Sequence, residues 1–134
     1  MTDENEIFSK KHGVKNVWKD ICSQHKKGKS IDEDDTKKLY FASGNQYVVP
    51  FVDVRMSKSE CLTYMKNLKV YRDNEDKLFN EHFGEWVLFH NEKQVIIVKN
   101  QEDGWLEILE NYPKESKLGV IGRIGCNYFT PIGM

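Results

Sequence analysis

The side chains best able to make or break bonds in this sequence are a few scattered thiols, imidazoles and carboxylates. Cys61 stands at the end of Met56-Ser57-Lys58-Ser59-Glu60-Cys61, where Ser57 and Glu60 have capping-box spacing. A thiol in the first turn of a helix gains thiolate character from the peptide dipoles. Cys61 is therefore the expected low-pKa thiol, and His90, at the end of an apolar strand, is the imidazole that could serve as its base. The plainer reading makes Cys61 a small hydrophobe that completes a staple with Met56. Asp53 interrupts the apolar run Tyr47–Val54, as a catalytic carboxylate or as the partner of Arg55 two residues on. The ion pair with Arg55 is the expected answer, because nothing selects a second facing carboxylate for acid catalysis.

Two other patterns invite a functional reading. Cys22-Ser23-Gln24-His25 has zinc-like spacing, but the other thiols and imidazoles are single and scattered. Cys22 and His25 also fall on an apolar helical stripe, which makes them core residues, so no metal site is expected. Gly119-Val120-Ile121-Gly122-Arg123-Ile124-Gly125 looks like a phosphate loop with an arginine in it. A phosphate cradle runs from a strand into a helix, whereas these glycines lie inside a strand pattern. They are expected to mark bulges or close backbone approach. No nucleophile elbow, zincin motif or P-loop is present, and no cofactor is expected.

The lysines form the largest pattern. Between Lys10 and Lys29 stand Lys10, Lys11, Lys15, Lys19, Lys26, Lys27 and Lys29, with Asp20 the lone acid. Such a face could lie along phosphates or against an acidic partner. It holds no arginine, and its Trp18 falls on the apolar side, so base readout is not expected. The net charge of −1 is thus a cancellation: residues 1–9 carry −3, residues 10–29 carry +6, Asp32 to Asp35 carry −4, and residues 36–134 balance.

These residues are positioned by elements that the periodicity predicts. Val14, Val17, Trp18, Ile21, Cys22 and His25 recur at helical spacing, with Gly13 and Gly28 as bounds. Residues 1–9 read as a flexible acidic tail. Ser30-Ile31-Asp32-Glu33 has capping-box spacing for a second helix that stops near Gly44. Tyr47–Val54 reads as one strand covered on both faces, with Pro50 marking an edge or a bulge. A third helix follows over Lys58–Leu68, and a short one over Asp73–Phe83 with Leu78, Phe79 and Phe83 inward. Trp86–His90 and Gln94–Val98 make a hairpin across Asn91-Glu92-Lys93. Asn100 is the expected cap of a helix whose Trp105, Ile108, Leu109 and Tyr112 share a face and which Pro113 ends. Leu118–Ile124 is the last strand.

Residues 83–125, with Phe83-Gly84-Glu85-Trp86-Val87, Gln94-Val95-Ile96, Asn111-Tyr112-Pro113 and Gly119-Val120-Ile121, resemble a family of short uncharacterised ββαβ modules. The resemblance implies a ββαβ unit and no functional residue.

The whole chain reads as one α+β domain over residues 1–134, a small, mainly antiparallel sheet with helices packed on it. Three unpaired-looking cysteines and an acidic, unapolar opening imply a reducing, intracellular, cytoplasmic setting and no membrane segment. Without a clustered catalytic motif, the expected function is a non-enzymatic protein-binding or assembly module. Two alternatives are an RNA- or ribonucleoprotein-associated protein using the basic helix 10–29, and a small enzyme using Cys61 or Asp53.

Overall fold

Helix α1, Glu4–Gln24, is broken at Gly13, whose φ of 77° and ψ of 169° no side-chain-bearing residue adopts at low cost. The break separates the segment before it from the amphipathic stretch that the spacing predicts. In that stretch Val17, Trp18 and Ile21 are fully buried against helix α2, Glu33–Ala42. The tail expected over residues 1–9 is helical from Glu4 onward, with Ser9 buried and Ile7 and Phe8 exposed. The structure is a computed structural model that describes residues 4–50 and 52–126, with the side chains of Asn5, Lys27 and Asp53 outside the description.

The cap of α2 lies two residues beyond the expected box. Asp32 accepts the Asp35 N–H at 3.2 Å, and the Asp35 carboxylate accepts the Asp32 N–H at 3.0 Å. Ser30 also has a carboxylate three residues on, but Glu33 pairs with Lys58 at 3.2 Å, whereas Asp32 and Asp35 satisfy each other's backbone N–H groups. The run read as one strand is two, β1 Tyr47–Val49 and β2 Val52–Met56, paired antiparallel with Val49 opposite Val52. Pro50 therefore turns a hairpin instead of marking an edge, since its fixed φ suits a turn position and its missing N–H costs the ladder nothing there.

Helix α3, Lys58–Asp73, starts at the predicted capping box: Ser57 Oγ accepts the Glu60 N–H and Glu60 accepts the Ser57 N–H. It runs about one turn beyond the expected end at Leu68. The chain divides into two compact units, Met1–Met65 and Lys66–Met134, and the N-terminal half of α3 belongs to the first.

The second unit is built on a three-stranded antiparallel sheet. Strands β3 Trp86–His90 and β4 Lys93–Val98 form the predicted hairpin, and β5 Val120–Arg123 pairs on the other side of β3. Helix α4, Glu75–His82, precedes β3; α5, Gly104–Asn111, and the short α6, Pro113–Ser116, join β4 to β5. Asn100 does not cap α5 itself: its side-chain Oδ1 accepts the N–H groups of Glu102 and Asp103 and so shapes the turn before it. As the central strand, β3 is covered on both faces. Trp86 and Leu88 pack with Val98, Ile108 and Ile121 under α5, while Phe89 meets the ring of Tyr71 edge-on from α3. The ββαβ arrangement and the α+β class follow.

Candidate functional site

The basic stretch is spread over broken geometry. Gly13 sets Lys10 and Lys11 on one helical segment and Lys15 and Lys19 on the next, while Lys26 and Lys29 follow on a 3-10 turn and its exit. Lys10 is exposed and pairs with Glu6 at 2.7 Å. Lys11, Lys15, Lys19, Lys26 and Lys29 are exposed, and the side chain of Lys27 lies outside the described residues. The acids of the next block have other partners: Glu33 pairs with Lys58, Asp34 with Lys37, and Asp35 with Lys38 and His25.

His25 is the core histidine that its place on the stripe implies. Its Nε2 lies 2.9 Å from Asp35 Oδ2, with the two side chains 7% and 3% exposed. Its Nδ1 has no hydrogen-bond partner among the described residues. Burial pushes the Asp35 carboxyl above its ordinary range, although the Asp32 N–H, His25 and Lys38 all pull it back. Cys22 is half-buried, and no group of three metal-ligating side chains exists among the described residues.

Cys61 lies in the core, away from solvent. Its thiol is fully buried, and desolvation pushes its pKa up to about 12, overriding the helix-terminus effect expected from its position. The thiol meets the Met65 sulfur at 3.8 Å, as a small hydrophobe would. His90 belongs to the second unit while Cys61 belongs to the first. Asp53 lies on β2, but its side chain is outside the described residues, so the expected pair with Arg55 is too.

The glycine-rich strand is structural up to Cys126. A Cβ on Gly119 would come within 2.4 Å of the Glu115 carbonyl, and one on Gly125 (φ 87°) within 2.5 Å of the Phe83 ring. Arg123 spends its Nε–H on the Gly84 carbonyl at 3.2 Å, which ties β5 to the end of α4.

That tie builds a feature the sequence reading missed. The Gly84 N–H donates to the Ile124 carbonyl and the Ile124 N–H to the Glu85 carbonyl, which brings Gly125 under Phe83. Phe83 and Phe79 meet edge-to-face, with centroids 5.1 Å apart, yet they are 59% and 52% exposed. Only Leu78 of α4 turns inward, against the expectation that all three would. Beside the rings lies a hollow of about 210 Å³ lined by Tyr71, Glu75, Asp76, Phe79, Gly125 and Cys126. Its electrostatics are acidic. Glu75 is half-buried, and loss of solvent raises its carboxyl pKa; Arg72 opposes the rise and Asp76 adds to it. Burial raises the Tyr71 hydroxyl as well, with Glu75 and Cys126 contributing, so the phenol stays neutral. The signal was available: Glu75, Phe79 and Phe83 lie four residues apart, so a glutamate shares the stripe of the two rings.

No family model, curated protein or solved structure matches this chain. What the surface can do must therefore be argued from its own chemistry. Among the described residues, no helix is long and apolar enough to cross a membrane.

Proposed function

We propose that this chain is a non-enzymatic, intracellular protein-binding module that engages its partner through the Phe79–Phe83 surface. The observation that carries the reading is the pair of phenyl rings, each more than half exposed at the mouth of a hollow. Fully burying one such ring is worth about 1.5–3 kcal/mol, so a fold that leaves two adjacent rings in water forgoes a sizeable stabilisation that a partner could recover. Clustered exposed aromatics beside a pocket are the usual anchors of protein interfaces. The free thiols Cys22, Cys61 and Cys126 support a reducing setting. Burial of Cys61, which opposes its ionisation, weighs against the Cys61 form of the enzyme reading; the Asp53 form lies outside the described side chains.

Affinity purification of the full chain and of a Phe79→Ser/Phe83→Ser variant, each with and without nuclease, tests this proposal. Protein partners that survive nuclease and are lost from the variant are expected. Partners that the variant retains would refute it. The RNA reading keeps one specific support, the exposure of Lys11, Lys19, Lys26 and Lys29. It requires instead that nuclease strip the partners and that lysine-to-glutamine changes in residues 10–29 do the same.

A further inference from the structure

We propose that the hollow beside Phe79 receives a lysine or arginine side chain of a protein partner, while a neighbouring apolar side chain of that partner covers the Phe79–Phe83 pair. The proposal rests on the protein-binding reading above and specifies its partner's chemistry.

Size comes first. About 210 Å³ is smaller than the ~300–1,000 Å³ of sites that enclose cofactors or drug-sized ligands. It suits one long side chain. Charge comes second. Among the described residues, the lining holds two carboxyls, Glu75 and Asp76, and no cation, which repels anions and leaves a cation to satisfy the acids. The neighbouring charges do not supply that cation from within the lining. Lys69 is committed to Asp73 at 2.7 Å, and His82 to Glu85 at 2.6 Å, with Glu81 3.8 Å from its other ring nitrogen. Arg72 acts on Glu75 and tempers it, but does not line the hollow.

The third argument is the ring. Phe79 forms part of the wall, and an exposed phenyl face attracts an ammonium or guanidinium group held near it. A cation entering here meets a carboxylate and an aromatic face together, the combination that rewards a basic side chain over an apolar one of equal length. Burial also matters: Glu75 is already partly stripped of water by the fold, so pairing it costs less further desolvation than pairing a solvated surface acid. The exposed remainder of Phe79 and Phe83 then offers an apolar shelf at the rim for the adjacent partner residue.

The test is an NMR titration of the isotope-labelled full chain with three peptides: acetyl-Gly-Leu-Arg-Leu-Gly-amide, its citrulline analogue and its glutamate analogue. Citrulline keeps the arginine shape without the charge. The arginine peptide is expected to shift the amides of residues 71–83 and Gly125, and to bind about tenfold more tightly than the citrulline peptide. Glu75→Gln with Asp76→Asn should erase that preference, with a dispersed spectrum confirming that the variant folds. Asp76→Asn alone, at an exposed position, should reduce it. Equal binding of the arginine and citrulline peptides at this surface would overturn the proposal while leaving the protein-binding reading intact. Shifts elsewhere, no shifts, or concentration-dependent shifts of these residues without peptide would also overturn it. The protein-binding reading would then stand or fall on the capture experiment with the phenylalanine variant.

Discussion

Removing the Asp35 carboxylate is the perturbation whose cost the structure specifies most closely. In Asp35→Ala, His25 loses its ion-pair partner at 2.9 Å, and the Asp32 N–H loses its acceptor at 3.0 Å. His25 Nδ1 already has no partner among the described residues, so neither ring nitrogen of a buried imidazole would then be satisfied. Breaking a buried pair from one side costs about 3–5 kcal/mol. Both side chains are at least nine-tenths buried, so that range needs no discount for solvent. Asp35→Asn keeps an acceptor for both the Asp32 N–H and the imidazole, and should cost only about 1 kcal/mol. The assay is urea unfolding followed by far-ultraviolet circular dichroism, on the wild type, Asp35→Ala, His25→Ala and the double variant. The cycle is expected to return a coupling energy of about 1–3 kcal/mol. A coupling below about 0.5 kcal/mol would refute the reading of His25 and Asp35 as an energetically coupled buried pair.

Three further outcomes are expected. Glu92 stands at φ 60° in the two-residue turn between β3 and β4, a conformation costly for any residue with a Cβ; Glu92→Gly should raise stability by about 0.5–1 kcal/mol and increase the thermal midpoint, and a lower midpoint would contradict this reading. The hydroxyl of fully buried Tyr64 has no hydrogen-bond partner among the described residues, so Tyr64→Phe should be neutral or stabilise by about 1 kcal/mol in urea unfolding, where a loss of that size would show a hidden partner. Iodoacetamide labelling read by mass spectrometry should modify exposed Cys126 in the native protein and Cys61 only on unfolding; preferential labelling of Cys61 would restore the nucleophile reading.

Much of the second unit was legible because its signals are local. The hairpin shows as two short apolar runs around a polar turn, with β4 starting at Lys93, one residue before the expected Gln94; Pro113 does end α5, although it then opens the short α6. The box at Ser57 and Glu60 was equally legible, since the two residues satisfy each other's backbone groups without outside help. The errors arose where a residue had two local meanings and tertiary context chose between them. Pro50 fits either a strand edge or a turn, and the pairing of Val49 with Val52 decides for the turn. Cys61 lies at a helix terminus that favours thiolate and inside a core that forbids it; the core wins because desolvation outweighs the dipole. The candidate surface stayed hidden because phenylalanine is usually a core residue, and only the path of β5 past α4 shows which side of the helix is open.

The position of β3 between β4 and β5 has a consequence for how the chain is made. β4 follows β3 directly, but β5 arrives only about thirty residues after β3 ends, a pairing of high contact order. During synthesis, Val87 and Phe89 therefore emerge with one edge of their strand open until Val120–Arg123 has left the ribosome. An open, apolar edge is a template for pairing with a second nascent chain. Yield in the cell should thus depend on how fast residues 99–123 are translated, through aggregation of the incomplete chain, even where the finished protein is equally stable.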